Sequence, residues 1–494
     1  MSIGVARSVA LLGLEATPVT VEAHVGVGLP GLTVLGGTGP SFRQAGDRVR
    51  AALGAVGHSV IQRKVLINLA PADVDKRGAR FDLAMVVAVL RAIGELPVGE
   101  QVFVGEVAID GGVRGVPGVL PSIRGCDDVV VPLANIHEAT VGGAGAPVGV
   151  ASVSELLAVL RGHVEVVSQA PPPVEPLDPP PDMADVVGQP EARRAIEVAA
   201  AGGHHVLLLG PPGSGKSMLA KRLPGLLPDL DHEAALTVAA VRSVSGRVGT
   251  VDRLDVRPPF AAPHHSSSAA ALLGGGSGIA RPGAVSHATH GVLFLDELFE
   301  WKRHVLDGLR EPLEEGNVRI ARAAATVTYP ADVLLVGASN PCPCGPARTG
   351  CRCRPDHVER YRARLTGPLA DRFDLAPLVE EVPADALASG AGGEPTAVVR
   401  TRVARARQRA LDRFGVLNAR AAAAVVRDTM SREALQVLVD AARRGRLSAR
   451  GFDRAMRVAR TCADLADNTM VGPDDAHEAV AHRGRLDRVW EVAA

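Results

Sequence analysis

Two stretches of the chain gather residue types able to do chemistry. The first, GPPGSGKS at Gly210–Ser217, follows the apolar run VLLL and precedes SMLAKRLPGLL, which reads as a helix. Its glycines, Gly210, Gly213 and Gly215, let the backbone curl until successive N–H groups face a phosphate chain, with Pro211, Pro212 and Ser214 completing the loop. Lys216 would then reach the β and γ phosphates, and Ser217 would hold magnesium. An idle glycine loop is the alternative, and the flanking strand and helix argue against it. The second stretch, NPCPCGPARTGCRC, holds four of the six cysteines, Cys342, Cys344, Cys351 and Cys353, in the spacing C-x-C-x6-C-x-C. Four thiolates are the full set for a closed tetrahedral zinc site, with idle thiols and redox chemistry as the other readings.

Between them, GVLFLDE delivers Asp296 and Glu297 at the carboxyl end of an apolar run, roughly 80 residues beyond the glycine loop. There Asp296 would stand beside the metal, and Glu297 would be free to polarise a water for in-line attack. Asn340 ends the next strand-like run, VLLVGAS, and is placed to orient that water against the γ phosphate, the simpler reading being a turn cap before Pro341. Together these residues predict a site for ATP and Mg2+.

Such residues need a scaffold, and the 494-residue chain is long enough for several domains. Basic and acidic residues cancel at 54 each, which argues against wholesale charge matching to nucleic acid and against a disordered polyelectrolyte. Lysines are few beside arginines, so arginine counts are discounted as coding bias. With no stretch of about 18 apolar residues and no secretory pattern, a cytoplasmic chain is expected, which favours metal over disulfide at the cysteines. The proline-rich QAPPPVEPLDPPPD divides the chain. Before it, strand-like and helical runs mix as in an α+β unit. After it, HVLLLG, GVLFLDE and DVLLVGASN alternate with helices, the pattern of a parallel sheet, and beyond Thr396 the chain reads as helix. The expected boundaries are 1–168, a linker at 169–184, an α/β P-loop core at 185–385 and a helical domain at 396–494.

At these residues the chain resembles the AAA+ ATPases of the magnesium-chelatase-like branch, in the YifB/ComM group. The matching stretches run nearly end to end, from VGLPGLTVLG and NLAPADVDKRGARFDL through DVVGQPEARRAIEVAA and RPPFAAPHHSSSAAALLGGGSGIARPG to GPLADRFDL and LSARGFDRAMRVARTCADLADN. The resemblance implies that Arg372 is an arginine finger for a neighbouring subunit, hence a homo-oligomeric, hexameric ring. It implies that Arg450, on the helical lid, contacts the γ phosphate. It also implies pore-facing insertions at PHHSSSAAALLGGGSGIARPG and at the hairpin-like NVRIARAAATVTYP, whose Arg319 and Arg322 would grip a polymer. Adjacent histidines such as His264 and His265 point in different directions, so a hydrogen-bonding role is expected for them rather than metal ligation.

The first domain resembles the Lon-type serine protease fold. Where that family has its Ser and Lys, this chain offers Arg80 and Ser122, so no covalent chemistry follows. Three functions stay open: a DNA motor promoting branch migration during DNA uptake, a chelatase motor subunit, and a protein-remodelling ATPase. The extra N-terminal domain argues against the second and the missing nucleophile against the third, so DNA is the expected partner.

Overall fold

The computed structural model describes residues 2–37, 40–58, 60, 62–143, 145–163, 179–246, 251–276, 280–322, 325–345, 351, 353–365, 367–390 and 392–491. Most of the expected linker, 169–178, lies outside them. Its last residues are not linker at all: Asp182 accepts from the N–H groups of Ala184 at 2.9 Å and Thr396 at 2.7 Å, and Met183 is buried. Capping hydrogen bonds and an apolar anchor outweigh the prolines just upstream.

The N-terminal unit is a seven-stranded sheet in the spatial order 31–35, 64–70, 15–26, 2–12, 102–103, 129–132, 148–150. Strict alternation in Glu15–Gly26 and Lys64–Ala70 buries Val19, Val21, Val25, Val65, Ile67 and Leu69 on one face. Against that face lies Asp82–Ala92, a helix buried along its whole length. It sits so close that a side-chain carbon on Gly4 would fall 2.1 Å from the Ala88 carbonyl oxygen. The mixed α+β reading holds.

Val206–Leu209, Leu334–Ser339, Val292–Leu295 and Phe260–Ala261 form a second sheet, all parallel. Leu375 and Leu378 pair in parallel with Val206 and Leu209, so in space the fifth strand lies beside the first, followed by the fourth, third and second. A sheet covered on both faces needs continuous apolar strands. VLLL, VLFL and LLVGAS are accordingly buried at every position. All carboxyl ends of the parallel strands then face one edge, where Gly210, Asp296 and Asn340 follow their strands directly.

The C-terminal helices Thr396–Phe414 and Ala449–Leu465 pack on Pro190–Gly202, Arg432–Arg443 and Pro473–Glu491 pack on Ala449–Leu465, and all share one apolar core with the sheet. They approach the opposite edge. His204, just before the first strand, meets Thr461 at 2.8 Å and Asp374 at 3.2 Å, and the Ala376 N–H donates to the His482 carbonyl.

Candidate nucleotide-binding site

The loop Gly210–Gly215 connects a buried strand to the helix Lys216–Leu226. Gly213 and Gly215 take φ of 76° and 95°, and no side chain caps the helix, so its first N–H groups stay available to an anion. Gly210 is required by packing, because a Cβ there would lie 2.1 Å from the Val379 carbonyl oxygen. Lys216 is buried and donates to the carbonyls of Gly210 at 2.8 Å and Pro211 at 2.7 Å and to Asn340 Oδ1 at 3.1 Å. Burial lowers its pKa, against the opposing field of Asp296.

Ser217 Oγ donates to Asp296 Oδ2 at 2.7 Å, while Asp296 Oδ1 accepts the Glu297 N–H at 2.9 Å. The Asp296 backbone carbonyl accepts from Nε1 of Trp301, one of the largest fully buried side chains. Glu297 stands in the left-handed region at φ 49°, a conformation that lifts its carboxylate off the strand line. That carboxylate lies 2.6 Å from His265 Nδ1. Thus three strand ends, one of them through its loop, bring Lys216, Ser217, Asp296, Glu297 and Asn340 to one edge.

Two participants were not placed at this site from sequence, although a hydrogen-bonding role is expected for His265. Gln189, at φ 56° before the helix Pro190–Gly202, donates from Nε2 to the carbonyls of Ser214, at 3.1 Å, and Glu380, clamping the loop from behind. The only local signal is a polar residue before a helix-starting proline. His265 is the other. Its ring lies 4.2 Å from that of His264, not splayed from it, because a turn closed from Ser267 N–H to the His264 carbonyl folds the pair together. His264 Nδ1 contacts Ser266 Oγ at 2.8 Å.

Arg372 precedes the fifth strand and so lies at the edge opposite the loop. Its Nη2 donates to Glu314 Oε2 at 2.6 Å, and its Nε is buried without a hydrogen-bond partner. Arg450 pairs with Asp371 at 3.3 Å, beside Arg372. A contact from Arg450 to a γ phosphate on its own chain is therefore not the arrangement found: the strand Val206–Leu209 stands between, and four residues at about 3.3 Å each span about 13 Å.

The hairpin Asn317–Ala321 with Thr326–Pro330 forms as expected, with Val318, Ile320, Val327 and Tyr329 buried and Arg319 and Arg322 exposed. Arg319 makes a loose pair with Glu315 at 3.5 Å. The hairpin's closeness to Asn340 in sequence does not persist in space, since the whole strand Leu334–Ser339 separates them. The sulfurs of Cys342, Cys344, Cys351 and Cys353 all lie within 4.8 Å of one another.

The stretch 182–387 matches the family model for magnesium chelatase, subunit ChlI, and 393–483 matches the model for that subunit's C-terminal part. Residues 21–135 match a further model, subunit ChlI of Mg-chelatase. An uncharacterized protein of Mycobacterium tuberculosis (strain H37Rv) is 44% identical over 98% of this chain and 99% of its own. The uncharacterized protein YifB of Escherichia coli (strain K12) is 39% identical over 99% of this chain and 98% of its own. The competence protein ComM of Haemophilus influenzae is 37% identical over 98% of both chains. The chain belongs to the YifB/ComM-type magnesium-chelatase-like proteins.

For a magnesium-chelatase-like AAA+ protein, ATP and Mg2+ are the implied ligands and ATP hydrolysis the implied activity. The residues fit both. Ser214 Oγ is buried in the loop without a hydrogen-bond partner, and the Ser217–Asp296 pair offers one neutral and one anionic oxygen to a hard cation. Among the described residues no helix is long and apolar enough to cross a membrane.

In the N-terminal unit, Arg80 and Ser122 share one acceptor. Both donate to the Gly118 carbonyl, and burial lowers the Arg80 pKa to about 10, leaving it still a cation with no proton-accepting role. The ATPase unit fills the space beside them. The Gly118 N–H donates to the Ser243 carbonyl at 3.0 Å, Ser243 Oγ donates to the buried Glu138, and Leu120 packs on Ala239 and Ala240 of the helix His232–Ser243.

Proposed function

We propose that this chain is the subunit of an ATP-driven hexameric ring that moves DNA, a branch-migration helicase in DNA uptake or recombination. The observation that carries the motor reading is the Ser217–Asp296 contact beside Lys216 and Asn340 at one sheet edge, with Arg372 at the other. On binding ATP, Lys216 exchanges the Gly210 and Pro211 carbonyls for phosphate oxygens. Ser217 and Asp296 would hold Mg2+, which would supply charge neutralisation at the phosphates. Glu297, oriented by His265, takes up the proton of the attacking water, and Asn340 aligns that water. The Arg372 guanidinium serves the neighbouring subunit's site, and Arg450, tied to the same edge through Asp371, faces that neighbour too. Four thiolates, Cys342, Cys344, Cys351 and Cys353, hold a structural Zn2+. The N-terminal unit, Lon-like in fold, is a docking module for the ATPase, since helix His232–Ser243 occupies the space beside Arg80 and Ser122.

DNA as the moving partner is supported by the exposed arginines of the hairpin and by a full-length relative named as a competence protein. A chelatase-like motor is the second reading, favoured by the subunit ChlI models that match core and lid. Native mass measurement with ATP and forked DNA, together with strand-displacement kinetics, separates them. A ring that binds forked DNA and displaces a strand only while hydrolysing ATP supports the first. A ring with ATP hydrolysis but no DNA binding at low salt overturns it.

A further inference from the structure

The cysteine cluster adjoins the phosphate loop. Asn340, which accepts from Lys216 at 3.1 Å, stands two residues before Cys342. The turn that follows is closed by the Gly345 N–H on the Cys342 carbonyl at 3.0 Å, with Gly345 at φ 93°. That turn lies directly against the loop: a Cβ on Gly345 would fall 2.7 Å from Cγ and 3.0 Å from Cδ of Pro212. From the other side, Arg362, at the end of the helix Pro355–Arg362, donates from Nε and Nη2 to the Pro341 carbonyl at 3.2 and 3.1 Å. Cys353 stands just before that helix.

The sulfur positions suit one thiophilic ion. Cys342 Sγ lies 3.3 Å from Cys344 Sγ and 3.1 Å from Cys351 Sγ, and Cys344 and Cys351 are 3.5 Å apart. A tetrahedral Zn2+ with Zn–S near 2.3 Å needs sulfurs about 3.8 Å apart, so small rotations about χ1 complete the site. A disulfide would need about 2.05 Å. The first cysteine pair is joined to the loop through Asn340 and Gly345, and the second to the helix that grips Pro341. An ion across the two pairs therefore staples the loop's supports together.

We infer that Zn2+ on Cys342, Cys344, Cys351 and Cys353 controls ATP hydrolysis, by fixing the Pro341–Gly345 turn between the phosphate loop and the helix Pro355–Arg362. This rests on the structural-zinc reading given above. Loss of the ion frees the turn, so Asn340 and Pro212 lose their support while the rest of the loop persists. Coupling of this kind is reciprocal, so nucleotide in the site should hold the metal more tightly.

The test uses the full chain, purified without chelators, with Zn2+ as the added ligand. Elemental analysis should find about one zinc per chain, lost in Cys351→Ser. Zinc-stripped protein and Cys351→Ser should hydrolyse ATP roughly tenfold more slowly, as for loss of a supporting shell. Zn2+ should restore the stripped parent but not the variant. A slowly hydrolysed ATP analogue should retard zinc transfer to a chromogenic chelator by roughly threefold or more, a readout independent of turnover. Gly345→Ala should retain zinc yet slow hydrolysis, because its methyl group displaces Pro212. If Cys351→Ser fails to fold, stripping and restoring the parent decides. A parent that neither carries nor takes up zinc overturns the zinc reading and the coupling with it. A parent whose zinc can be removed with no change in hydrolysis, and whose zinc release ignores nucleotide, overturns the coupling alone.

Discussion

Replacing Arg372 with alanine should silence hydrolysis while leaving each chain's own phosphate loop able to bind ATP. The reason is distance. Arg372 precedes the strand segment that pairs with Val206–Leu209, and that strand separates the two edges by about 13 Å, roughly twice the length of an extended arginine side chain. Its guanidinium, now on Glu314, is too far to serve its own chain's nucleotide, and under the ring proposal it serves a neighbour's. Arginine fingers contribute about 10³- to 10⁵-fold in turnover, or about 4–7 kcal/mol of transition-state stabilisation. Binding of a fluorescent ATP analogue to the variant should change by less than about threefold, since a charge more than a Debye length away acts weakly on the bound ground state. The decisive assay mixes Arg372→Ala with Glu297→Gln. A site is complete when its own chain supplies Glu297 and its neighbour supplies Arg372. Random assembly at equal amounts therefore restores about one quarter of the sites, and ATPase activity should rise toward that fraction of the parent's. Inactivity at every mixing ratio, with both variants shown to co-assemble, would refute the reasoning.

Lys216→Ala should abolish nucleotide binding, whereas Glu297→Gln should bind ATP normally and stall turnover by about 10²-fold or more, measured by single-turnover kinetics. Arg319→Ala with Arg322→Ala should weaken DNA binding and lower the log–log salt slope for single strands by about 1.4, with basal ATPase unchanged; an unaltered slope places the DNA contact elsewhere. His205 accepts the Leu335 N–H at Nδ1, and burial lowers its pKa to about 4. Between about pH 6.5 and 4 only the unfolded chain takes up that proton, so this contribution is present above pH 6.5 and is lost as pH falls. From pH 6.5 to 5 the parent should lose about 2 kcal/mol more in urea unfolding than His205→Asn, whose amide oxygen accepts the same N–H without titrating. Equal pH dependence would show that His205 does not titrate in this way.

The local parts of the site were legible because each depends on neighbours in sequence. A buried four-residue strand followed by GPPGSGKS can only deliver its loop at the strand's end, and the same holds for Asp296 after VLFL and Asn340 after LLVGAS. The hairpin and its exposed arginines followed from period-two alternation between Asn317 and Pro330. Where expectation and structure part, the residues concerned are far apart in the chain. Arg450 and Asp371 are 79 positions apart, and the strand order that carries both to the far edge is not written in either neighbourhood. Gln189 reaches Glu380, 191 positions on, and His265 meets Glu297 through a turn whose closure no hydrophobic period signals.

From the sequence alone came the element types, the parallel character of the ATPase sheet, and the candidate phosphate and metal ligands. Those properties rest on short-range sterics and on side-chain chemistry, which travel with the residues. Only the tertiary structure decided which edge each arginine occupies, that Gly345 abuts Pro212, and that helix His232–Ser243 fills the space beside Arg80 and Ser122. Such contacts are chosen by how the sheet and its helices bury their faces together, a collective outcome that no single segment encodes.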